Sequence, residues 1–142
     1  MNISAKTEYA CIAVLALAAS YGSGRPVRIR KIADAHGIPS RFLVQILLQL
    51  KSAGIVSSTR GAAGGYTLIR DPEEITLGEV MSVIEGPMDQ FRSNTESPTP
   101  TSLVLSDVWN YVAGAQFEML DGVTFDQLRQ RAKGSTENMY HI

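Results

Sequence analysis

Residues 28–66 read RIRKIADAHGIPSRFLVQILLQLKSAGIVSSTRGAAGGY, and their spacing decides the fold. Ile29, Ile32 and Ala33 fall on one side of a short helix that Gly37 breaks. Ala33 is small where two helices must approach closely, and Gly37 can take φ > 0 where the chain turns. Ile38 plugs the corner. Pro39 cannot extend the first helix and pushes Ile38 out of helical geometry. Ser40 is placed to cap a second helix, predicted from about Ser40 to Ala53 and ended by Gly54. Leu43, Ile46, Leu47 and Leu50 recur at helical spacing and face a core. Two short strands follow, Ile55–Thr59 and Tyr66–Ile69, joined by the glycine-rich tip Arg60-Gly61-Ala62-Ala63-Gly64-Gly65. Two helices, a tight turn and a hairpin are the layout of a winged helix-turn-helix.

That layout carries a chemical expectation. Ser40, Arg41, Val44 and Gln45 remain outward near the start of the second helix, where side chains meet base edges if this helix enters a major groove. The hairpin tip would bring Arg60 and the backbone N–H groups around Gly61, Gly64 and Gly65 toward phosphates or a minor groove. Two other readings compete. A buried αα-hairpin with no DNA role would show the same periodicity. A nucleotide-binding phosphate loop would use the glycines, but the Lys-Ser/Thr pair is missing and no helix starts at the right place.

The charge distribution favours the first reading. The 142-residue chain has a formal net charge of −1. Residues 1–70 nevertheless hold nine Lys/Arg against two acids, while the remainder holds four against twelve. The positive half is the half with the helix-turn-helix, as phosphate binding requires. A hydrophobic content of 44% is ordinary for a globular protein. The single cysteine, Cys11, excludes a disulfide scaffold and a zinc site built from thiolates. Ala10–Ala19 is apolar but too short to span a membrane, and no signal peptide is recognisable, so a cytoplasmic protein is expected.

Around the central stretch, Ser4–Tyr21 predicts a first helix with Ser4 as N-cap. It is apolar almost all round and therefore buried on several sides. Val27-Arg28 is expected to form a small strand with the wing. Asp71–Glu74 reads as a loop. Thr76-Leu77-Gly78-Glu79 reads as a capping box opening a helix that Gly86-Pro87 stops. Residues 88–102 have no period and read as a flexible loop. Leu103–Leu120 predicts a long helix with Val104, Val108, Tyr111/Val112, Ala115 and Met119 along one side. So much apolar surface in a small chain points to a dimer interface. A second capping box, Thr124–Gln127, opens a short last helix through about Ala132. The expected organisation is a DNA-binding domain over 1–87, the loop 88–102, dimerisation and terminal helices over 103–133, and a tail over 134–142. The fold class is mainly α.

Glu8-Tyr9-Ala10, the run from Ile32 to Pro87, and above all Arg60-Gly61, Gly64-Gly65-Tyr66, Ile75-Thr76 and Glu85-Gly86-Pro87 resemble the IscR/NsrR/CymR family of bacterial winged-helix repressors. The resemblance covers about residues 1–87 and resumes weakly over 108–128. It implies a dimeric regulator whose first helix starts near the DNA backbone, which makes Lys6 a candidate phosphate contact. Many members of that family bind an iron–sulfur cluster through three cysteines in the loop corresponding to 88–102. That loop has none here, so no cluster and no cofactor are expected. Glu8 sits where an unusual kind of member uses a carboxylate ligand, but its cysteine partners are missing as well. Members without a cluster act through a partner protein or a small ligand.

The combined reading is a homodimeric, sequence-specific regulator of transcription that binds double-stranded DNA, with repression the expected mode. Its candidate DNA-binding residues are Lys6, Arg28, Arg30, Ser40, Arg41, Phe42, Val44, Gln45, Arg60, Gly61, Gly64, Gly65 and Tyr66. Cys11 is a candidate redox residue, weighed against a small apolar residue in a buried helix. The rival is a protein-interaction module that keeps the fold without DNA control. No nucleophile–base pair, metal set or paired acids suggest an enzyme.

Overall fold

The computed structural model describes residues 1–141, with side chains through residue 135. Six α-helices and one hairpin follow in the order α1 (Ala5–Ala19), α2 (Ile29–His36), α3 (Ser40–Ser52), β1 (Val56–Thr59), β2 (Gly65–Leu68), α4 (Leu77–Glu85), α5 (Pro100–Asp121) and α6 (Phe125–His141). A single 3₁₀ turn at Pro72–Glu74 precedes α4, where a loop was expected, and the Asp71 side chain caps it by accepting from the Glu73 N–H.

The core is built by α1 and α3. Leu43, Ile46, Leu47 and Leu50 of α3 are fully buried, and they meet Ala10, Ala13, Val14 and Leu17 of α1. Small residues on α1 let the two helices come close. Helix α2 ends at Gly37 in the left-handed region, φ 65° and ψ 34°. The Ile38 N–H then bonds to the Ala33 carbonyl at 3.1 Å, and Ile38 is buried as a plug. The cap of α3 differs from expectation. Pro39 is the N-cap and Ser40 the first helical residue, with no side-chain cap bond. Proline's fixed φ, here −60°, already suits that position. At the other end the Ile55 N–H reaches Leu50 O and the Gly54 N–H reaches Lys51 O, both at 3.0 Å. That is the paired closure of a Schellman motif.

The hairpin is one residue shorter at each outer end than the sequence predicts, and its register pairs Val56 with Leu68 and Thr59 with Gly65. The expected third strand exists as a bridge between Val27 and Tyr66, closed by N–H···O bonds of 2.9 and 2.8 Å. Only glycine fits at Gly65, because a Cβ there would lie 2.6 Å from the Val27 carbonyl carbon.

Helices α4, α5 and α6 are latched at one corner. Leu77 N donates to Val123 O at 2.8 Å, Phe125 N to Ile75 O at 2.9 Å, and the Thr76 hydroxyl to Asp121 at 2.7 Å. The box expected at Thr76–Glu79 is only half made. Thr76 Oγ1 accepts from the Glu79 N–H at 3.1 Å, but the Glu79 carboxylate takes Arg70 instead, at 2.5 Å. The box at Thr124–Gln127 is complete in both directions. Helix α5 begins at Pro100, three residues before the predicted start, because Thr99 and Ser102 form a reciprocal capping box. Helix α6 runs well past Ala132. Phe125 at its start is fully buried, and Arg129 donates to the Ala18 carbonyl at the end of α1 at 3.1 Å. Of the tail expected over 134–142, Ile142 lies outside the described residues.

One contact ties the end of α4 to the start of α1. The Thr7 hydroxyl and, at 2.7 Å, the Ser4 hydroxyl donate to the Glu85 carboxylate. These bonds hold its pKa below the usual carboxylate range, with Lys6 adding to the effect. A depressed folded-state pKa means stability present above the unfolded pKa and lost as pH falls through the folded one. Glu85→Gln is therefore expected to lower the unfolding free energy by about 0.5–1 kcal/mol at pH 7, the modest figure befitting an exposed group. In urea titrations across pH, the gap between variant and parent closes in acid.

Candidate nucleic-acid interface

Burial of Leu43, Ile46, Leu47 and Leu50 turns the opposite face of α3 outward. Ser40, Arg41, Phe42, Val44 and Gln45 are all exposed. Leu48 shares this face and is 53% exposed, a position the sequence reading passed over. Its signal was available, since Arg41, Val44, Gln45 and Leu48 fall at i, i+3, i+4 and i+7. Phe42 leans back toward α1, its ring 5.9 Å from that of Tyr9. The Arg41 guanidinium sits 5.2 Å over the Phe42 ring, a cation–π geometry. Tyr9 also packs against the core.

The wing flanks this face. Lys51 on α3 donates to the Ser58 hydroxyl of β1 at 2.7 Å and ties the two elements together. Arg60 and Gly61 are exposed at the tip. Gly64 and Gly65, whose backbone is expected to face a phosphate, pass close against their own chain. Gly64 is buried, its N–H bonded to Gly61 O at 3.0 Å, and a Cβ there would stand 2.1 Å from Thr59 O. Both backbone groups of Tyr66 are spent on Val27. These residues shape the wing; Arg60 and Gly61 present it. The Val27–Tyr66 bridge in turn holds Arg28, the residue before α2, beside the hairpin, and Arg30 is exposed two residues on.

Charge is distributed to match. Among the described residues, Arg28, Arg30, Arg41 and Arg60 take part in no ion pair. Lys6, in the first turn of α1, is half-buried and lies close enough to Glu85 to influence its titration. Arg70 leaves the basic set, because Glu79 and the Glu74 carbonyl hold its guanidinium at 2.5 and 2.8 Å.

An exposed helix after a tight turn, a glycine-shaped wing and unpaired arginines between them define a winged helix-turn-helix DNA-binding protein. The comparisons agree. The family model of the Rrf2 regulators, described as iron-dependent transcriptional regulators, matches residues 3–131, and the chain belongs to that family. It is 33% identical over 144 residues to the transcriptional regulator CymR of Bacillus subtilis, covering the whole of both chains. It is 30% identical over 130 residues to IscR of Aliivibrio salmonicida, with 90% of this chain and 77% of that protein covered. The solved structure of the B. subtilis CymR, titled as a global cysteine regulator, superposes with a TM-score of 0.80 at 31% identity, covering 92% of this chain and 98% of that one. The structure of T. potens IscR superposes with a TM-score of 0.78 at 30% identity, covering 95% and 90%. This protein is a DNA-binding regulator of transcription and not an enzyme.

The iron in the family description does not fit these residues. The chain has one cysteine, and among the described residues no group of three or more His, Cys, Asp or Glu is placed to hold a metal. The loop before α5 is instead pinned by an aromatic contact. Phe91 packs on Trp109 with ring centroids 4.8 Å apart, and its N–H donates to Asn110 at 2.6 Å.

Cys11 lies on α1, on the wall of an apolar groove of about 350 Å³ shared with Ile12, Met81 and Leu128. Burial pushes its thiol up from 9.0 to about 11. At neutral pH that leaves roughly a hundredfold less thiolate than a free cysteine has, and the thiolate is the reactive form. Alkylation by iodoacetamide at pH 7.5 is expected to be slow in the folded protein and fast in urea. Equal rates in the two states would support Cys11 as a redox residue.

Proposed function

We propose that the protein is a cytoplasmic homodimer that represses transcription by placing α3 of each subunit in successive major grooves, about 34 Å apart. The observation that carries this reading is the division of α3 itself, four residues sealed in the core and Arg41, Val44, Gln45 and Leu48 turned out between unpaired arginines. Arg41 suits guanine and Gln45 suits adenine as bidentate partners, and Val44 and Leu48 suit thymine methyl groups. Ser40, Arg28, Arg30 and Arg60, with Lys6 at the edge, suit phosphates.

Arg41→Ala is expected to cost about 1–3 kcal/mol on the selected duplex and to relax preference at one base position. Duplexes selected from random DNA, followed by titration of single-base variants, test it; equal loss on every sequence would remove the base-reading role. Binding should also weaken steeply with added salt, as counterion release requires. A protein-interaction module with the same fold would show no such slope.

The dimer rests on α5, none of whose residues is buried. Tyr111 is 79% and Met119 76% exposed, and Val104 and Val108 are more than half exposed. An isolated chain would leave this apolar stripe in water, whereas a second copy would cover it. Val108→Glu is expected to yield monomers in sedimentation analysis and to weaken binding to a two-half-site duplex far more than to a single half-site.

A further inference from the structure

Tyr9 stands outside the set of residues expected to meet DNA. Its ring nevertheless touches Phe42, and Phe42 carries the Arg41 guanidinium on its face. Neighbouring residues on a helix diverge by about 100°, so Arg41 and Phe42 do not meet by default. The long arginine folds back over the ring, and that is useful only if the ring stays still. Phe42 is 37% exposed, so part of its ring faces solvent. On its inner side it meets Tyr9, itself seated on α1 against the core. Helix α1 is anchored at this end by the Ser4 and Thr7 bonds to Glu85.

We infer that Tyr9 is a positioning residue for sequence readout: through the Phe42 ring it holds the Arg41 guanidinium in its base-reading pose before DNA arrives. The stack restricts a side chain with many rotamers, and a group ordered in advance loses less entropy on binding. The planar guanidinium can stack on the ring with one face while its edge, carrying the N–H donors, stays directed at the two acceptors of a guanine. A Tyr9 that merely packs would affect folding and all DNA sequences alike; a Tyr9 that itself touches a phosphate would do so through its hydroxyl.

This inference rests on Arg41 reading a base, and the experiment separates the two. Duplexes are selected from random DNA with the parent protein, and binding of the selected duplex and its single-base variants is titrated. Failure of the parent to select any sequence defeats the regulator reading itself. Given selection, Tyr9→Leu is expected to reduce discrimination about three- to tenfold at the base position that Arg41→Ala also relaxes. Other positions should keep their preference. Tyr9→Phe should behave as the parent, and adding Tyr9→Leu to Arg41→Ala should cost nothing further in discrimination. Phe42→Leu breaks the same chain from an exposed position and should copy Tyr9→Leu; it serves as the reading if Tyr9→Leu loses its helical spectrum. In the free protein, the Arg41 side-chain Nε–H resonance should become more mobile in both leucine variants and unchanged in Tyr9→Phe. Equal loss on all duplexes, full additivity with Arg41→Ala, or an Arg41 resonance indifferent to Tyr9→Leu overturns the proposal.

Discussion

Helix α3 can sit against α1 in only one rotation. Leu43, Ile46, Leu47 and Leu50 are completely withdrawn from water, and each such side chain is worth roughly 1.5–3 kcal/mol. Rolling the helix by half a turn would expose all of that and bury Arg41 and Gln45 instead. The rotation therefore sets which residues a groove would meet, and core energetics and the DNA-facing surface follow from the same 3.6-residue repeat. Around that fixed helix the turn at Gly37, the Schellman closure at Gly54 and the Lys51–Ser58 bond set where its two ends point.

The wing obeys a steric constraint. Gly64 and Gly65 pass so close to Thr59 and Val27 that no side chain fits. The hairpin is thereby drawn against the segment leading into α2, beside Arg28. Arg28, Arg30, Arg41 and Arg60 of the basic half are all exposed. The pairing of the basic half is selective, since Arg70 is neutralised by Glu79 while these four arginines take part in no ion pair among the described residues. The acidic half of the chain supplies the latches elsewhere, with Glu85 on α1, Asp121 on Thr76 and Asp126 on Arg129.

The same economy explains α5. Its last turns are tied to the body through Asp121 and the α4–α6 corner. Along the remainder, Val104, Val108, Tyr111 and Met119 stay more than half exposed. The loop leading into it is secured by Phe91 on Trp109 rather than by thiolate ligands.

Local chemistry made much of this legible in advance. Helical spacing placed the core residues of α3, Gly37 and Pro39 marked the turn, and the glycine-rich tip marked the wing, because each depends on residues a few positions apart. Leu48 was readable by the same spacing and was passed over. Where side chains choose between partners, the sequence alone was insufficient. Glu79 could close its own capping box or take Arg70, and it took Arg70; Ser40 could cap α3, but Pro39 holds that place; Gly64 could face a phosphate, but its N–H is used inside the turn. The Tyr9–Phe42–Arg41 stack and the Glu85 clasp on α1 join residues 33 and 78 or more positions apart. Such contacts exist only once the core has brought distant segments together, which is why the elements could be read from the chain while the arrangement of its polar and aromatic contacts was decided by the tertiary fold.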